Sequence, residues 1–353
     1  MTKIHELDTP VVLIDLDRVE ANLRRAQDYA DAHGVKLRPH IKTHKLPQFA
    51  KRQLELGAIG ITCQKIGEAE VMVEAGITDI LLPYNILGAP KLKRLLALAR
   101  RAAIKVTADS PTTIDGYSRT FSRSGLTLPV LVECDTGGGR VGVQTPEQAL
   151  NLARSIAQSE GLRFAGLMTY PAKGMAAQAN AWLDRAKALL TEAGLAPEIV
   201  STGGTPDLWQ SGENRAATEY RPGTYIYLDR FQVQEGVGGF DDCALTVLAT
   251  VVSRPTDTRA VLDAGSKSLT SDTLGLQGFG HIVEYPDATI VSLSEEHGVV
   301  DLSRSARKPE VGELVRIIPN HVCPVTNLFD EVTLVRGDDV LDTVPVAARG
   351  KVT

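Results

Sequence analysis

Short apolar runs alternate with amphipathic segments along residues 35–228 of this chain, and this alternation constrains the fold more than any other feature. The amphipathic segments carry apolar residues every three or four positions, which predicts helices. The short runs are apolar on both faces, which predicts buried strands. Buried strands that are each followed by a helix indicate a parallel sheet with helices outside it.

Eight such strands are predicted, which fits a closed (β/α)8 barrel of the TIM type better than an open doubly wound sheet. The predicted strands lie at residues 35–38, 59–62, 80–83, 104–107, 129–133, 164–168, 198–200 and, more weakly, 219–227. The clearest helices between them are predicted at residues 65–75, 90–101, 146–157 and 176–193.

The alternation stops near residue 244, where strand-like runs separated by turn residues begin. These runs predict a second, all-β C-terminal domain with strands at residues 244–252, 259–262, 288–291, 314–318 and 331–335. An apolar run at residues 10–16 predicts an N-terminal strand that joins it. We therefore expect a barrel over residues 20–235 and a β domain made of residues 1–19 and 236–353.

Composition excludes several function classes. The net charge of −5, without a long basic run, argues against a nucleic-acid or anionic-membrane surface. No apolar leader opens the chain, and no stretch has the apolar length of a bilayer span. The four cysteines are far apart and form no C-x-x-C pair, so we expect thiols or a metal ligand in a cytoplasmic protein rather than disulfides.

The segment Arg38–Lys45 carries two lysines and two histidines at the predicted end of the first barrel strand. Barrel enzymes place their reactive groups at the carboxyl ends of their strands. A lysine held beside other cations and partly desolvated has a lowered pKa and becomes an amine nucleophile. The alternative is a solvated basic loop with ordinary surface lysines.

Polar or glycine-rich residues also follow the other predicted barrel strands, so we expect them to meet over one barrel mouth. They are Cys63–Lys65, Pro83–Asn85, Cys134–Arg140, Thr169–Pro171, Ser201–Thr205 and Arg221–Tyr225. The Gly203-Gly204-Thr205 loop offers backbone N–H groups suited to a phosphate. The Gly137-Gly138-Gly139 run lacks the spacing of a Walker loop or a dinucleotide fingerprint, which argues against ATP and NAD.

A phosphate site and an amine nucleophile in one mouth suggest pyridoxal phosphate bound as a Schiff base. Arg140 is then a candidate for the ring hydroxyl and Tyr170 for the pyridine ring or its nitrogen. A surface ion pair for Arg140 and a core position for Tyr170 are the alternatives. We also expect His40, Gln64, Thr202, Gly223 and Tyr225 at the cofactor.

His321-Val322-Cys323 is a candidate metal site. Residues two apart on a strand face the same side, so the imidazole and the thiolate would supply two ligands to one metal ion, best zinc. A buried cysteine beside a hydrogen-bonded histidine is the alternative.

Taken together, the motifs resemble the fold-type III pyridoxal-phosphate enzymes, in the branch that holds D-threonine aldolases and D-serine dehydratases. The resemblance covers nearly the whole chain. The matching motifs are Thr9-Pro10, Asp15-Leu16-Asp17, Arg38–Lys45, Cys63-Gln64-Lys65, Glu68-Ala69-Glu70, Asp135 with Gly137, Arg140 with Gly142-Val143, Asp263-Ala264-Gly265 with Lys267, and His321 with Cys323.

The resemblance implies that Lys42 is the Schiff-base lysine and that Arg140 lies near the ring oxygen. It places Tyr170 at the pyridine nitrogen and the Gly203-Gly204 loop with Tyr225 near the phosphate. His321 and Cys323 would bind a divalent metal, manganese or zinc with magnesium as a further alternative. A head-to-tail homodimer is also implied, in which the β domain of one chain covers the barrel mouth of the other.

The implied activity is a lyase reaction on a β-hydroxy-D-amino acid. In an aldolase, His44 or a metal-bound water removes the hydroxyl proton and the Cα–Cβ bond breaks. In a dehydratase for D-serine or D-3-hydroxyaspartate, Lys42 removes the α-proton and the hydroxyl leaves. The His-x-Cys motif resembles the dehydratases, whereas Gly60–Lys65 and the following helix resemble the aldolases, which we favour.

Two further alternatives share the barrel and the lysine. A racemase needs a second base, usually a tyrosine, and the predicted β domain contains only Tyr285. A non-catalytic pyridoxal-phosphate carrier is a single barrel, so the second domain argues against it.

Overall fold

The computed structural model of the chain describes residues 2–353. Across these residues the strands are, in chain order, β1 (Val11–Asp15), β2 (Ile61–Thr62), β3 (Asp79–Leu82), β4 (Ala103–Ala108), β5 (Leu128–Cys134), β6 (Leu162–Thr169), β7 (Ile199–Thr202), β8 (Glu219–Tyr220), β9 (Leu245–Thr256), β10 (Arg259–Leu262), β11 (His281–Ile282), β12 (Thr289–Leu293), β13 (Gly298–Asp301), β14 (Leu314–Ile318), β15 (Glu331–Arg336) and β16 (Asp339–Pro345). The α-helices are α1 (Leu16–Ala32), α2 (Pro47–Leu56), α3 (Ile66–Glu74), α4 (Ala89–Ala99), α5 (Pro111–Phe121), α6 (Pro146–Gln158), α7 (Ala176–Glu192), α8 (Arg230–Gln234), α9 (Ser266–Leu269) and α10 (Val322–Leu328).

The chain divides into two compact units. One comprises the residues up to Arg25, together with Thr43–Lys45 and Thr224–Gly350, and the other comprises Ala26–Lys42, Leu46–Gly223 and Lys351–Thr353. The predicted domain boundaries at residues 20 and 235 stay a prediction.

The second of these units contains the barrel. Strands β2 to β8 form one parallel sheet in sequential order. The sheet closes through isolated bridges, from Leu37 to Tyr220 on one side and from His40 to Thr62 on the other. This closure, with helices between the strands, confirms the predicted (β/α)8 architecture.

The first predicted barrel strand, at residues 35–38, is not a regular strand. Arg38 N–H donates to the Tyr220 carbonyl at 2.9 Å and His40 N–H to the Pro222 carbonyl at 2.8 Å. Pro39 faces the other neighbour, β2, where it has no N–H to donate and pairs only through its carbonyl, which accepts from Thr62 N–H at 2.8 Å. The segment therefore fills the strand position with two bridges instead of a continuous pairing.

The unit that includes Thr224–Gly350 contains a second, nine-stranded sheet. Strands β12, β13, β10, β9, β1, β15 and β16 lie in that order, and β14 joins β9 and carries β11. Strand β1 is antiparallel to β9 and parallel to β15. The mostly antiparallel C-terminal domain is thus confirmed, and the five strands predicted within it are present.

Sequence patterning missed strands β11, β13 and β16 because they are very short or largely exposed, so each carries little alternation. The C-terminal domain also contains the short helices α9 and α10, which the all-β prediction lacked. In the described part of the chain, no helix combines the length and the apolar composition that a bilayer crossing requires.

Candidate active site

The residues before Lys42 are fixed by the barrel wall. His40 pairs with Thr62 through a bridge, and Ile41 N–H donates to the Thr62 carbonyl at 2.9 Å. Lys42 N–H donates to His40 Nδ1 at 3.3 Å, so Nδ1 is the unprotonated nitrogen and Nε2–H donates to Gln64 Oε1 at 3.1 Å. The structure thus brings His40 and Gln64 together beside the backbone of Lys42, whose side chain is half-buried.

The three residues after Lys42 belong to the other unit. Thr43 and His44 are fully buried. Lys45 has a positive φ of 57°, and its ammonium donates to the Ala348 carbonyl at 3.4 Å. Lys45 thus hydrogen-bonds within its own unit, whereas Lys42 belongs to the barrel unit.

The loops after β7 and β8 are joined within the barrel unit. Gly223 N–H donates to Thr205 Oγ1 at 3.1 Å, and the Tyr220 hydroxyl donates to the Gly204 carbonyl at 2.9 Å. A Cβ on Gly203 would lie 1.9 Å from the Tyr220 ring, so only glycine fits there. Thr202 is buried at the end of β7, and a 3₁₀ helix, Thr205–Glu213, begins directly after the glycine pair.

Tyr170 lies on this glycine loop. A Cβ on Gly204 would be 2.7 Å from Cε2 of the Tyr170 ring. The Arg140 guanidinium lies over the Tyr170 ring, 5.1 Å from the ring centroid. Tyr170 is 44% exposed and Arg140 is exposed, so both are accessible to a ligand. Tyr225, the remaining predicted cofactor residue, is buried in the short 3₁₀ helix Thr224–Ile226 of the other unit.

The structure contradicts the strand conformation predicted for His321–Cys323. This segment is not on a strand: β14 ends at Ile318, His321 is the N-cap of α10, and Cys323 lies in the first helical turn. Pro324 suits that turn because a helix does not use the N–H of its first residues. Asp229 caps the helix by accepting the Val322 N–H at 3.1 Å.

The two side chains still meet, because a hydrogen bond joins His321 to Cys323. His321 Nδ1 also lies 2.8 Å from Asp272 Oδ2. Burial opposes the imidazolium, but the contacts with Cys323 and Asp272 prevail and raise the pKa of His321 to about 9. Because Asp272 holds Nδ1, Nε2 is the nitrogen left for a metal.

The thiol of Cys323 also contacts two threonines in its own unit. Cys323 Sγ lies 3.2 Å from the Thr43 hydroxyl and 3.7 Å from the Thr224 hydroxyl. Thr43 directly follows Lys42 in the chain, so the thiol is next to the residue after the candidate nucleophile.

Burial raises the pKa of the nearby helix cap, Asp229, to about 6, although Gln232 and Val322 donate backbone N–H groups to it. Sequence reasoning missed Asp229 and Asp272. Asp272 carries no local signal, since it meets His321 from 49 residues away.

The donor set fits the expected ligands. A half-buried lysine, a glycine pair ahead of a 3₁₀ helix and an arginine over a tyrosine ring match a phosphorylated aromatic aldehyde. An imidazole and a thiol with a carboxylate behind the imidazole match a borderline-soft divalent metal. Within residues 2–353, no group of three or more His, Cys, Asp or Glu side chains is arranged to hold a metal.

Comparison with known proteins decides the family. Residues 14–230 match the domain described as "Alanine racemase, N-terminal domain", and residues 244–335 match the "Putative serine dehydratase domain". The D-threonine aldolase of Arthrobacter sp. is 38% identical over 98% of this chain and 93% of its own length. This chain belongs to the D-threonine aldolase family.

Solved structures agree with this assignment. The D-threonine aldolase from Filomicrobium marinum superposes with a TM-score of 0.92 at 37% identity, covering 99% of this chain and 98% of the other. The D-threo-3-hydroxyaspartate dehydratase from Delftia sp. HT23 gives a TM-score of 0.90 at 30% identity, covering 98% and 99%. A cysteine-to-alanine mutant of a D-threo-3-hydroxyaspartate dehydratase is described in a metal-free form. Members of this family of aldolases and dehydratases are pyridoxal-phosphate-dependent lyases, and this protein is a lyase of the same kind.

Proposed function

We propose that this protein is a metal-dependent D-threonine aldolase that cleaves D-threonine to glycine and acetaldehyde. The observation that carries the proposal is the 3.2 Å contact between Cys323 Sγ and the hydroxyl of Thr43, the residue that follows Lys42. It ties the proposed metal ligand to the turn that carries the proposed cofactor lysine. The 38% identity to the aldolase of Arthrobacter sp. supports the choice of reaction.

The chain's own residues divide the work. Lys42 would hold the coenzyme covalently, and Thr202, Gly203, Gly204, Gly223 and Tyr225 would form the phosphate end of its site. Arg140 would lie at the ring hydroxyl and Tyr170 at the pyridine nitrogen, while Gln64 and His40 fix the backbone at Lys42. When bound, the coenzyme accepts the electron pair that Cα–Cβ cleavage releases.

The metal donors and one histidine would handle the substrate hydroxyl. His321 and Cys323 would hold the divalent metal, manganese or zinc, whose chemistry would be to polarise that oxygen. The description of a metal-free form of the related dehydratase mutant supports a metal in this group of enzymes. His44 is the proposed base that takes the hydroxyl proton. We further propose a cytoplasmic homodimer with head-to-tail subunits.

Dehydration of D-serine or D-3-hydroxyaspartate is the second candidate function. The His-x-Cys motif and the 30% identity to the dehydratase of Delftia sp. HT23 favour it. In that reaction Lys42 would remove the α-proton and the metal would hold the departing hydroxyl, so the same residues serve a different bond cleavage.

Product analysis separates the two functions. Purified protein, supplied with pyridoxal phosphate and manganese, is incubated with D-threonine and, separately, with D-serine and D-3-hydroxyaspartate. We expect glycine and acetaldehyde from D-threonine, measured by chromatography and an aldehyde-coupled assay. Accumulation of a keto acid and ammonia in place of glycine would show the dehydratase, and L-threonine is the stereochemical control.

The placement of Tyr170 on the glycine loop gives a second test. Gly204 has an extended φ of −159°, so alanine causes no backbone strain, but its Cβ would press on the Tyr170 ring. Because that ring is half exposed and able to move, we expect Gly204→Ala to leave the melting temperature nearly unchanged. Its dissociation constant for pyridoxal phosphate should rise by about tenfold, the equivalent of roughly 1.4 kcal/mol.

Gly239→Ala is the matched control, since its Cβ would meet only Asp242 Oδ2, at 3.9 Å. Coenzyme affinity is measured by titration of the apoprotein with fluorescence detection. An unchanged dissociation constant in Gly204→Ala would remove the Tyr170–Gly204 contact from the coenzyme site.

A further inference from the structure

A connected set of charged side chains lies inside the barrel, apart from the groups assigned above. The Arg38 guanidinium is buried, and its Nε donates to Glu219 Oε2 at 2.8 Å. The same guanidinium donates to Asp79 Oδ1 at 2.5 Å. Lys105 Nζ completes this end of the set with donations to both Asp79 oxygens, at 2.9 and 3.1 Å.

The set continues from Glu219 toward the other end of the strands. Its second oxygen, Oε1, accepts from the Ser201 hydroxyl at 2.6 Å. Ser201 Oγ in turn accepts from the Arg221 guanidinium at 2.6 Å. Arg221 also donates to the Thr169 carbonyl at 2.7 Å, and Glu219, Ser201, Arg221 and Thr169 are all buried.

The order of these residues along the strands shows where the set leads. Asp79 begins β3 and Glu219 begins β8, so both lie at the amino ends of their strands. Thr169 ends β6, and Arg221 follows the end of β8. The set therefore rises through the barrel to the carboxyl ends of the strands and finishes next to Tyr170 in the chain.

Glu219 is the junction of this set. On one side it holds Arg38, which lies in the short segment that leads to Lys42. On the other side it holds Arg221 through Ser201, and Arg221 starts the loop that contains Gly223. One carboxylate thus connects the segment of the proposed cofactor lysine to a loop of the proposed phosphate site.

Stability alone is a poor explanation for this arrangement. Barrel interiors are normally filled by branched apolar side chains, and well-packed apolar groups often stabilise a core as well as a buried ion pair does. Burial lowers the pKa of Arg221 to about 10, which shows the desolvation that the set must offset. Gly60 makes room for the Arg38 guanidinium, since a Cβ at this position would lie 2.2 Å from Arg38 Nη1.

We infer that Glu219 is a positioning residue for the lyase reaction: acting through Arg38 and through Ser201–Arg221, it fixes the Lys42 segment and the Gly223 loop relative to each other. The inference rests on the proposed function, because the two parts that Glu219 aligns are those assigned to the coenzyme. Glu219 itself touches neither coenzyme nor substrate in this scheme.

Glu219→Gln tests the inference. The amide keeps the shape of the side chain but loses its charge, and its NH2 group must face Arg38 or Ser201, each of which already donates there. We expect kcat to fall by roughly tenfold to a hundredfold, because small misplacements of reacting groups have effects of that size. KM should change little, and the visible circular dichroism per bound coenzyme, which reports its orientation, should fall or change sign.

Ser201→Ala is the second variant, needed if Glu219→Gln does not fold. It removes only the hydroxyl between Glu219 and Arg221 and leaves the pair of Arg38 and Glu219 in place. We expect kcat and the visible dichroism to change in the same direction as in Glu219→Gln, but by a smaller amount. Glu198→Gln is the matched control, since Glu198 accepts from Arg163 at 2.7 Å on the exposed outside of the barrel unit, and its kcat and dichroism should equal those of the wild type.

Two outcomes would overturn the inference. In the first, one of the two variants, Glu219→Gln or Ser201→Ala, is folded by far-ultraviolet dichroism and saturated with coenzyme, yet keeps the wild-type kcat and visible dichroism. In the second, both variants have a lower melting temperature and no other change. Failure of the proposed function is a separate result: the wild type would then cleave no β-hydroxy-D-amino acid. In that case the visible dichroism of the variants still decides whether Glu219 positions the coenzyme.

Discussion

Lys42→Ala is expected to abolish turnover of D-threonine and to remove the visible absorption of the bound coenzyme. The ε-amino group is the proposed covalent attachment, and no other side chain in its segment offers an amine before Lys45. Loss of a covalent or acid–base group typically lowers kcat by roughly 10²- to 10⁴-fold. The measurements are the visible spectrum after dialysis against coenzyme-free buffer and the rate of acetaldehyde release.

Two lysine variants serve as controls. Lys36→Ala removes the same charge from an exposed position on the approach to Lys42 and should keep both band and activity. Lys45→Ala tests the neighbouring lysine, whose ammonium the structure places on the Ala348 carbonyl. If Lys42→Ala retains the band while Lys45→Ala loses it, the assignment of the cofactor lysine is wrong.

Removal of the divalent metal is expected to have an effect of similar size. EDTA should silence the lyase activity, and manganese or zinc should restore it, because the proposed metal would polarise the substrate hydroxyl from which the proton leaves. Cys323→Ala should weaken metal retention by roughly 10- to 100-fold or more, given that even indirect partners of a metal ligand have effects in that range. Metal content after gel filtration, measured by mass spectrometry, is the readout.

Cys63→Ala is the control for that variant. Cys63 is fully buried in the barrel unit, follows β2 and has no histidine two residues away, so its replacement should leave the metal content unchanged. Activity that does not respond to chelator, or equal metal loss in both cysteine variants, would remove His321 and Cys323 from the mechanism.

The barrel was predictable because its signal is local. Each buried strand and each amphipathic helix repeats its own period within ten or so residues, and this pattern survives without knowledge of neighbours. The first strand is the instructive exception. Pro39 has no N–H to donate to β2, and the position is completed by bridges to Tyr220 and Thr62, which are distant in sequence.

The metal motif shows a different limit. The residue types at positions 321 and 323 suggest a metal site in any backbone conformation, but the strand geometry that was used to justify the site is wrong. Pro324 breaks a strand, whereas it fits the first turn of a helix, and Asp229 supplies the cap that starts α10. Residue type in the local sequence carried the prediction of a metal site, and a capping contact from 93 residues away fixed the backbone geometry.

The sequence by itself determined the barrel, the additional sheet, the family and the lysine, histidine and cysteine that we assign to the chemistry, because these depend on local periodicity and on residue type. Only the tertiary structure decided that Asp272 holds His321 and that Glu219 joins Arg38 to Arg221. Those partners are separated by 49 residues in the first case, and Glu219 lies 181 residues from Arg38 in the second. Contacts across such distances leave no pattern in the chain, since these hydrogen bonds depend on where strands and turns meet in space.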